Sequence, residues 1–160
     1  MIKQGNILDA EEQYICHQCN CVTETSYGLA TQIFQKFPHA NTYILRKKNQ
    51  YSTQSLPSTI SVHKNIINMY SQYGPGKSLK DFPASEAEHG KPNSFNDSYE
   101  LRKKWFADCL LEISKLKPIS IALPFNIGCG LAGGKWADYE EMLNTFCKEN
   151  PEVKVVLYKL

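Results

Sequence analysis

Long apolar runs are missing from this sequence. No stretch reaches the roughly 18 consecutive apolar residues of a membrane span, and Met1-Ile-Lys-Gln-Gly-Asn6 lacks the apolar core of a secretion signal. An excess of one charge is missing too. With 18 basic against 16 acidic residues, no polybasic arm or stripe argues for nucleic acid held through its phosphates, so any phosphate must be recognised locally. The expectation is a soluble protein of the cytoplasm, or also of the nucleus, with no membrane partner. Six cysteines would suit a disulfide framework in a small secreted chain, but without a signal free thiols are expected. Cys16, Cys19 and Cys21 resemble half of a zinc site whose second half is absent: Cys109, Cys129 and Cys147 stand apart and no paired His motif follows. No metal and no cofactor are expected. The length of 160 residues suits one domain over 1–160 with a sizeable core, expected to be a monomer.

Glycine is sparse except in one place. The stretch Ile119-Ser-Ile-Ala-Leu-Pro-Phe-Asn-Ile-Gly-Cys-Gly-Leu-Ala-Gly-Gly-Lys-Trp136 breaks from an apolar run into glycines at 128, 130, 133 and 134, and then into helical periodicity. It reads as a strand, a backbone-rich loop and a helix start. Main-chain N–H groups beside a helix N-terminus suit an anion, most often phosphate or diphosphate. The alternative is that these glycines only turn a strand into a helix.

Elsewhere, Met1–Gly5 and Tyr14–Asn20 read as strands. Leu29, Ile33, Phe34 and Phe37 fall at helical spacing within Tyr27–Phe37, ended by Pro38, and a second short helix is expected through Tyr43 and Leu45 towards Lys48. Thr59–His63 and Asn65–Tyr70 read as consecutive strands with a tight connection. Residues 72–97, with Gly74, Pro75, Gly76, Pro83, Gly90 and Pro92, form a long loop; its Lys77 and His89 either cover a cleft or stay solvated. A helix follows over Tyr99–Leu116, with N-cap candidates between Ser94 and Asp97 and an apolar stripe through Leu101, Trp105, Cys109, Ile113 and Leu116; Trp105 and Phe106 are read as core. Strand Ile119–Phe125, a helix bearing Trp136, Tyr139, Leu143 and Phe146, and strand Val153–Leu160 complete the chain. His63 alternates within its strand and is read as structural. Strands interleaved with helices make an α/β layered fold, in which ligands sit beyond the carboxyl ends of strands.

Gly5-Asn6-Ile7-Leu8, His17-Gln-Cys-Asn-Cys21, Gly28-Leu29-Ala30, Ile127-Gly-Cys-Gly-Leu-Ala-Gly-Gly-Lys-Trp136 and the Val156-Leu-Tyr-Lys-Leu160 end together resemble a macro domain over nearly the whole length. The blocks look like the branch holding the yeast-type ADP-ribose 1″-phosphate phosphatase and the terminal ADP-ribose protein glycohydrolase. The resemblance implies a three-layer α/β/α fold with a mixed, largely parallel central sheet of about six strands, and a cleft for ADP-ribose.

It also implies roles. Asn20 would contact the distal ribose, or, on the chemistry of Asn alone, close a turn. Asn126, Ile127, Gly128, Cys129, Gly130 and Leu131 would cradle the diphosphate or distal phosphate. The first phosphate loop is often glycine-rich in the family, whereas Cys21-Val-Thr-Glu-Thr-Ser-Tyr-Gly28 keeps only Gly28; Thr25 and Ser26 can add hydroxyls, Leu29 follows on the helix, and Glu24 would repel phosphate if turned inward. Asn6, beside Ile7, takes the place of an adenine-binding Asp. Tyr158 would stack on adenine or serve as a core tyrosine.

The glycohydrolase's catalytic Lys and Asp fall at Gln72 and Ala132, which can supply neither an adduct-forming amine nor a carboxylate base. The phosphatase-like relative has a His where this chain has His17. An imidazole can move a proton at neutral pH, although His17, three residues before Asn20, lies on the opposite strand face and equally suits a site buried under a helix. The leading expectation is hydrolysis of the phosphomonoester of ADP-ribose 1″-phosphate, with His17 as acid/base and Asn20 orienting the ribose. The alternatives are a non-catalytic module for ADP-ribose or an ADP-ribosylated macromolecule, an ADP-ribosyl hydrolase of another mechanism, and, most distant, a single-strand binder using aromatics.

Overall fold

The computed structural model describes residues 1–78 and 95–160. Within them a six-stranded sheet has the order β1-β6-β5-β2-β4-β3, built from β1 (Ile2–Gln4), β2 (Tyr14–Cys19), β3 (Thr59–His63), β4 (Ile66–Tyr70), β5 (Ser120–Pro124) and β6 (Lys154–Lys159). All neighbours run parallel except the antiparallel edge pair β3–β4. The helices α1 (Leu29–Lys36), α2 (Tyr99–Lys115) and α3 (Trp136–Glu149) cover it, giving a mixed, largely parallel α/β/α arrangement.

Each face of the sheet has its own core. Ile15, Cys19, Ile66, Tyr70, Ala122 and Val156 pack against Ala30, Ile33 and Phe34 of α1. Cys16, Ile67, Met69, Ile121 and Leu123 pack against Phe106, Cys109 and Ile113 of α2 and Tyr139, Leu143 and Phe146 of α3. This two-sided burial explains why β2 and β4 lack a clean polar alternation: a parallel strand covered on both faces is apolar on both. Trp105 and Phe106 are core residues.

The helices end where local chemistry requires. The Ser98 hydroxyl accepts the Leu101 N–H at the start of α2, so the cap is one residue beyond the Ser94–Asp97 window; Asp97 is occupied elsewhere. At the end of α2, Leu116 is exposed rather than part of the buried stripe. The expected helix from Tyr43 to Lys48 is only a 3₁₀ turn over Tyr43–Leu45. It follows another over Pro38–Ala40, and neither has a side-chain cap to nucleate a longer helix. Of the long 72–97 loop, residues 79–94, His89 among them, lie outside the described residues.

The topology places a crevice. β2 and β5 are adjacent, yet β2 leads into α1 on one face and β5 leads into α3 on the other. Their following loops diverge, and a gap opens beyond the carboxyl ends of the two strands.

Candidate ligand-binding cleft

The gap is a cleft of about 410 Å³ lined by the ends of β2 and β5, the start of α1, the 126–132 loop and residues 72–76. That volume lies in the range of small-molecule sites. No Asp, Glu, Lys or Arg side chain lines it among the described residues. Glu24 is exposed and off its wall.

The wall is rich in unpaired backbone donors. In the glycine loop, Cys129, Gly133 and Gly134 donate to loop carbonyls, whereas the N–H groups of Gly128, Gly130, Leu131 and Ala132 make no hydrogen bond among the described residues. All of these last residues line the cleft. Across from them, Gly28 precedes α1 at φ 59° with no side-chain cap, leaving Gly28, Leu29 and Ala30 with orphan amides at the positive end of a helix dipole. The two segments come close: a Cβ on Gly28 would stand 3.3 Å from Leu131 Cδ1.

The glycine loop is held by contact as well as by conformation. Gly128, at φ 79°, lies on the Tyr139 ring, where a Cβ would fall 2.6 Å from Cε1. Gly134 packs on the other edge of the same ring and donates to the Gly128 carbonyl at 2.9 Å. The stem of exposed Lys77 runs along Gly133.

Behind the loops lies a buried ion pair. Arg102 Nε and Nη2 each donate to Asp97 at 2.7 Å, and both side chains are almost wholly enclosed. The guanidinium also donates to the carbonyls of Gly74, Gly76 and Lys77 and reaches Ala132 O at 3.5 Å, while the Gly74 N–H donates to Asp97. One α2 side chain thus ties both rims of the cleft. On the floor, Gln72 donates to Gly74 O at 2.9 Å and accepts from Gln18 at 2.6 Å.

His17 lines the cleft but is 1% exposed, edge-on to Phe34. Asn68 Nδ2 donates to Ala40 O at 2.9 Å, which turns Asn68 Oδ1 towards His17 Nε2 at 2.7 Å. Nε2 therefore carries the proton, leaving Nδ1 with its lone pair. Burial pushes the His17 pKa down to about 4, against the opposing pull of the Asn68 hydrogen bond. At neutral pH His17 is therefore the neutral imidazole, its one proton held on Nε2 against Asn68, rather than an imidazolium acid.

Asn20 also lines the cleft, with its side chain engaged in the turn. Its Oδ1 accepts from the N–H groups of Val22 and Thr23, from the Thr23 hydroxyl and from Arg46 Nη1, and its Nδ2 donates to Thr23. The turn-closing role is the one seen, with one amide hydrogen given to Thr23. Gly28, Leu29, Asn126, Ile127, Gly128, Gly130 and Leu131 share the same wall.

Other expected site residues lie off the wall. Cys129 donates to Ile127 O, Ser26 pairs with Thr31, Thr25 is exposed, and Ile7 is in the core. The Asn6 side-chain oxygen accepts the Leu8 N–H as a turn cap and keeps its second lone pair. Tyr158 is buried, donating to Glu12 at 2.6 Å with Lys3 above its ring. Its burial leaves little of the ring exposed. Gln18, Tyr43 and Phe125 on the wall and the Asp97–Arg102 pair behind it are not among the residues expected from the sequence. Position two before Asn20, on the same strand face, was the available signal for Gln18.

No helix among the described residues is long and apolar enough to cross a membrane, and they contain no His/Cys/Asp/Glu cluster suited to a metal. No protein-family model matches the chain, and no curated protein matches it. Solved structures do. The macrodomain of Mycobacterium tuberculosis DarG aligns over 100% of this chain and 98% of its own, at 21% identity and TM-score 0.67. The macrodomain of Thermus aquaticus DarG aligns over 100% and 99%, at 19% identity and TM-score 0.66. Thermosipho africanus DarTG, solved in complex with ADP-ribose, aligns over 98% of this chain and 41% of its own, at 17% identity and TM-score 0.56. With sheet order, layers and full-length superposition in agreement, this chain has the macrodomain fold.

Proposed function

We propose that the cleft binds ADP-ribose or an ADP-ribose derivative through its diphosphate. The observation that carries this reading is the two sets of unpaired amides, Gly28–Ala30 and Gly128 with Gly130–Ala132, on residues that line one cleft with no carboxylate among the described residues. Oriented N–H donors bind a phosphate without a cationic side chain. The diphosphate would bridge the loops where Gly28 faces Leu131, with Phe125 and Leu29 offering apolar surface to the base and His17, Gln18, Asn20 and Gln72 offering polar groups to the distal ribose. The fold shared with a DarTG solved with ADP-ribose supports the same ligand.

Capture without turnover fits the floor best. Gln72 and Ala132 stand where the glycohydrolase pattern places its Lys and Asp, and the Gln72 amide is spent between Gln18 and Gly74. A second reading, hydrolysis of ADP-ribose 1″-phosphate as in the phosphatase-like branch, is favoured by one observation: His17 sits on the cleft wall with Nδ1 unprotonated. Nδ1 would accept a proton from the attacking water, and the amide cradle would stabilise charge on the phosphoryl oxygens. The proton that His17 takes from the water would then pass to the leaving oxygen, directly or through solvent, which restores the neutral ring.

Calorimetry with ADP-ribose, paired with phosphate release from ADP-ribose 1″-phosphate, tests both. Binding with no release supports the module; release abolished in His17→Ala supports the second reading. Absence of binding to either compound refutes the proposal.

A further inference from the structure

Arg46 is 4% exposed, and no carboxylate pairs with it among the described residues. Its guanidinium donates to Asn20 O at 2.7 Å, Thr23 O at 2.9 Å, Ser55 Oγ at 3.0 Å and Asn20 Oδ1 at 3.2 Å, and it lies 4.0 Å above the Tyr43 ring. Its Nε is buried with no partner. Every acceptor it has is neutral. The titratable groups around it do not supply a negative charge either: burial pushes the Cys19 thiol up to about 12 and holds the Cys21 thiol and Tyr43 hydroxyl well above their ordinary values.

A buried cation without a counter-ion is unfavourable, and proteins ordinarily pair such groups. Here the missing partner has a direction. Asn20 and Tyr43, which Arg46 contacts, both line the cleft, so the charge lies one layer of side chains behind a wall that carries no ionised group among the described residues. An anion in the cleft would face an uncompensated positive charge across a water-poor layer, where Coulomb attraction is screened far less than at a surface.

We propose that Arg46 is a specificity-determining residue that selects anionic ligands for the cleft without touching them. The inference rests on the ADP-ribose reading and assigns part of the attraction for its diphosphate to this residue. It also accounts for the poverty of glycine in residues 21–27: Arg46, by holding Asn20 and Thr23 carbonyls, fixes the backbone ahead of Gly28 with one side chain.

Ser55 provides the test, because its hydroxyl accepts from Arg46 and it is not on the cleft wall. Ser55→Asp supplies the missing counter-ion beside Arg46, so the protein keeps its fold and its cradle while the field at the cleft is cancelled. Calorimetry should show ADP-ribose binding about tenfold weaker in Ser55→Asp, with a melting temperature at or above wild type and with Ser55→Asn binding as wild type does. A purely structural Arg46 would leave Ser55→Asp binding unchanged or tighter, and that result overturns the inference. A second comparison separates charge from hydrogen bonding: Arg46→Lys should bind about tenfold tighter than Arg46→Gln, and equality or the reverse order overturns it. Wild-type protein that does not bind ADP-ribose overturns the parent reading and the inference with it; wild-type binding that Ser55→Asp leaves intact overturns the inference alone.

Discussion

Gly134→Ala is a severe probe of the cradle for a one-carbon change. A Cβ on Gly134 would collide with the Gly128 carbonyl oxygen and stand 2.7 Å from Cε2 of Tyr139. Neither neighbour can retreat easily. The carbonyl belongs to a backbone fixed by the hydrogen bond from Gly134 at 2.9 Å, and the Tyr139 ring is 1% exposed with Phe106 edge-on at 4.9 Å. Overpacking of this kind costs about 1–3 kcal/mol, and loss of the Gly134–Gly128 hydrogen bond adds about 1 kcal/mol, so Gly134→Ala should lose about 2–4 kcal/mol in equilibrium urea denaturation. Gly130→Ala is the control: nothing lies within 4 Å of its Cβ, and its stability should stay within about 0.5 kcal/mol of wild type. Relief of the Gly134 clash also shifts the amides of Gly130–Ala132, so ADP-ribose affinity should fall at least about tenfold, because a site loosened by about an ångström loses its geometry. Equal stabilities for Gly134→Ala and Gly130→Ala would refute the packing argument.

Three further outcomes are expected. Asp97→Asn leaves Arg102 charged, buried and without its carboxylate, and should cost about 3–5 kcal/mol in thermal or urea unfolding; a loss below about 1 kcal/mol would contradict the role given to that pair. His17 has a folded pKa of about 4 against 6.5 when unperturbed, so the unfolded chain binds more protons between those values. Its stabilising contribution is complete above the upper value and disappears as pH falls to the lower one, costing about 2 kcal/mol between about pH 7 and about pH 5. Urea denaturation of His17→Gln should lack this increment, and an unchanged pH slope would place His17 in a more solvated site. Tyr158→Leu should leave ADP-ribose affinity within about twofold of wild type by calorimetry, whereas a ring stacked on adenine would lose about tenfold.

What could be read from the sequence depended on how local the cause was. β3 begins and ends where alternation and its flanking polar residues place it, and the helices around Ile33, Trp105 and Leu143 follow their apolar spacing, because both periodicities are properties of a short window. The glycine loop was legible for the same reason. The Tyr43–Lys48 helix was not, since two apolar residues at the right spacing cannot nucleate a helix without caps or a packed face. Arg46 and Arg102 were invisible as site-builders. Their contacts span 26 residues to Asn20 and 30 residues to Ala132, and a lone Arg in a sequence reads as solvated until its burial is known. Asn20 shows the subtler limit: its place at the cleft followed from the strand, but the direction of its amide depended on Thr23 and Arg46.

In the proposed site backbone amides, rather than charged side chains, receive the ligand. Amide proton–nitrogen correlation spectra of ¹⁵N-labelled protein titrated with ADP-ribose test it directly. The largest shifts are expected at Gly28, Leu29 and Ala30 and at Gly128, Gly130, Leu131 and Ala132, with Cys129, Gly133 and Gly134, whose amides already donate within the loop, moving less. Saturable binding that leaves both amide groups unshifted, or no binding at all, would contradict it.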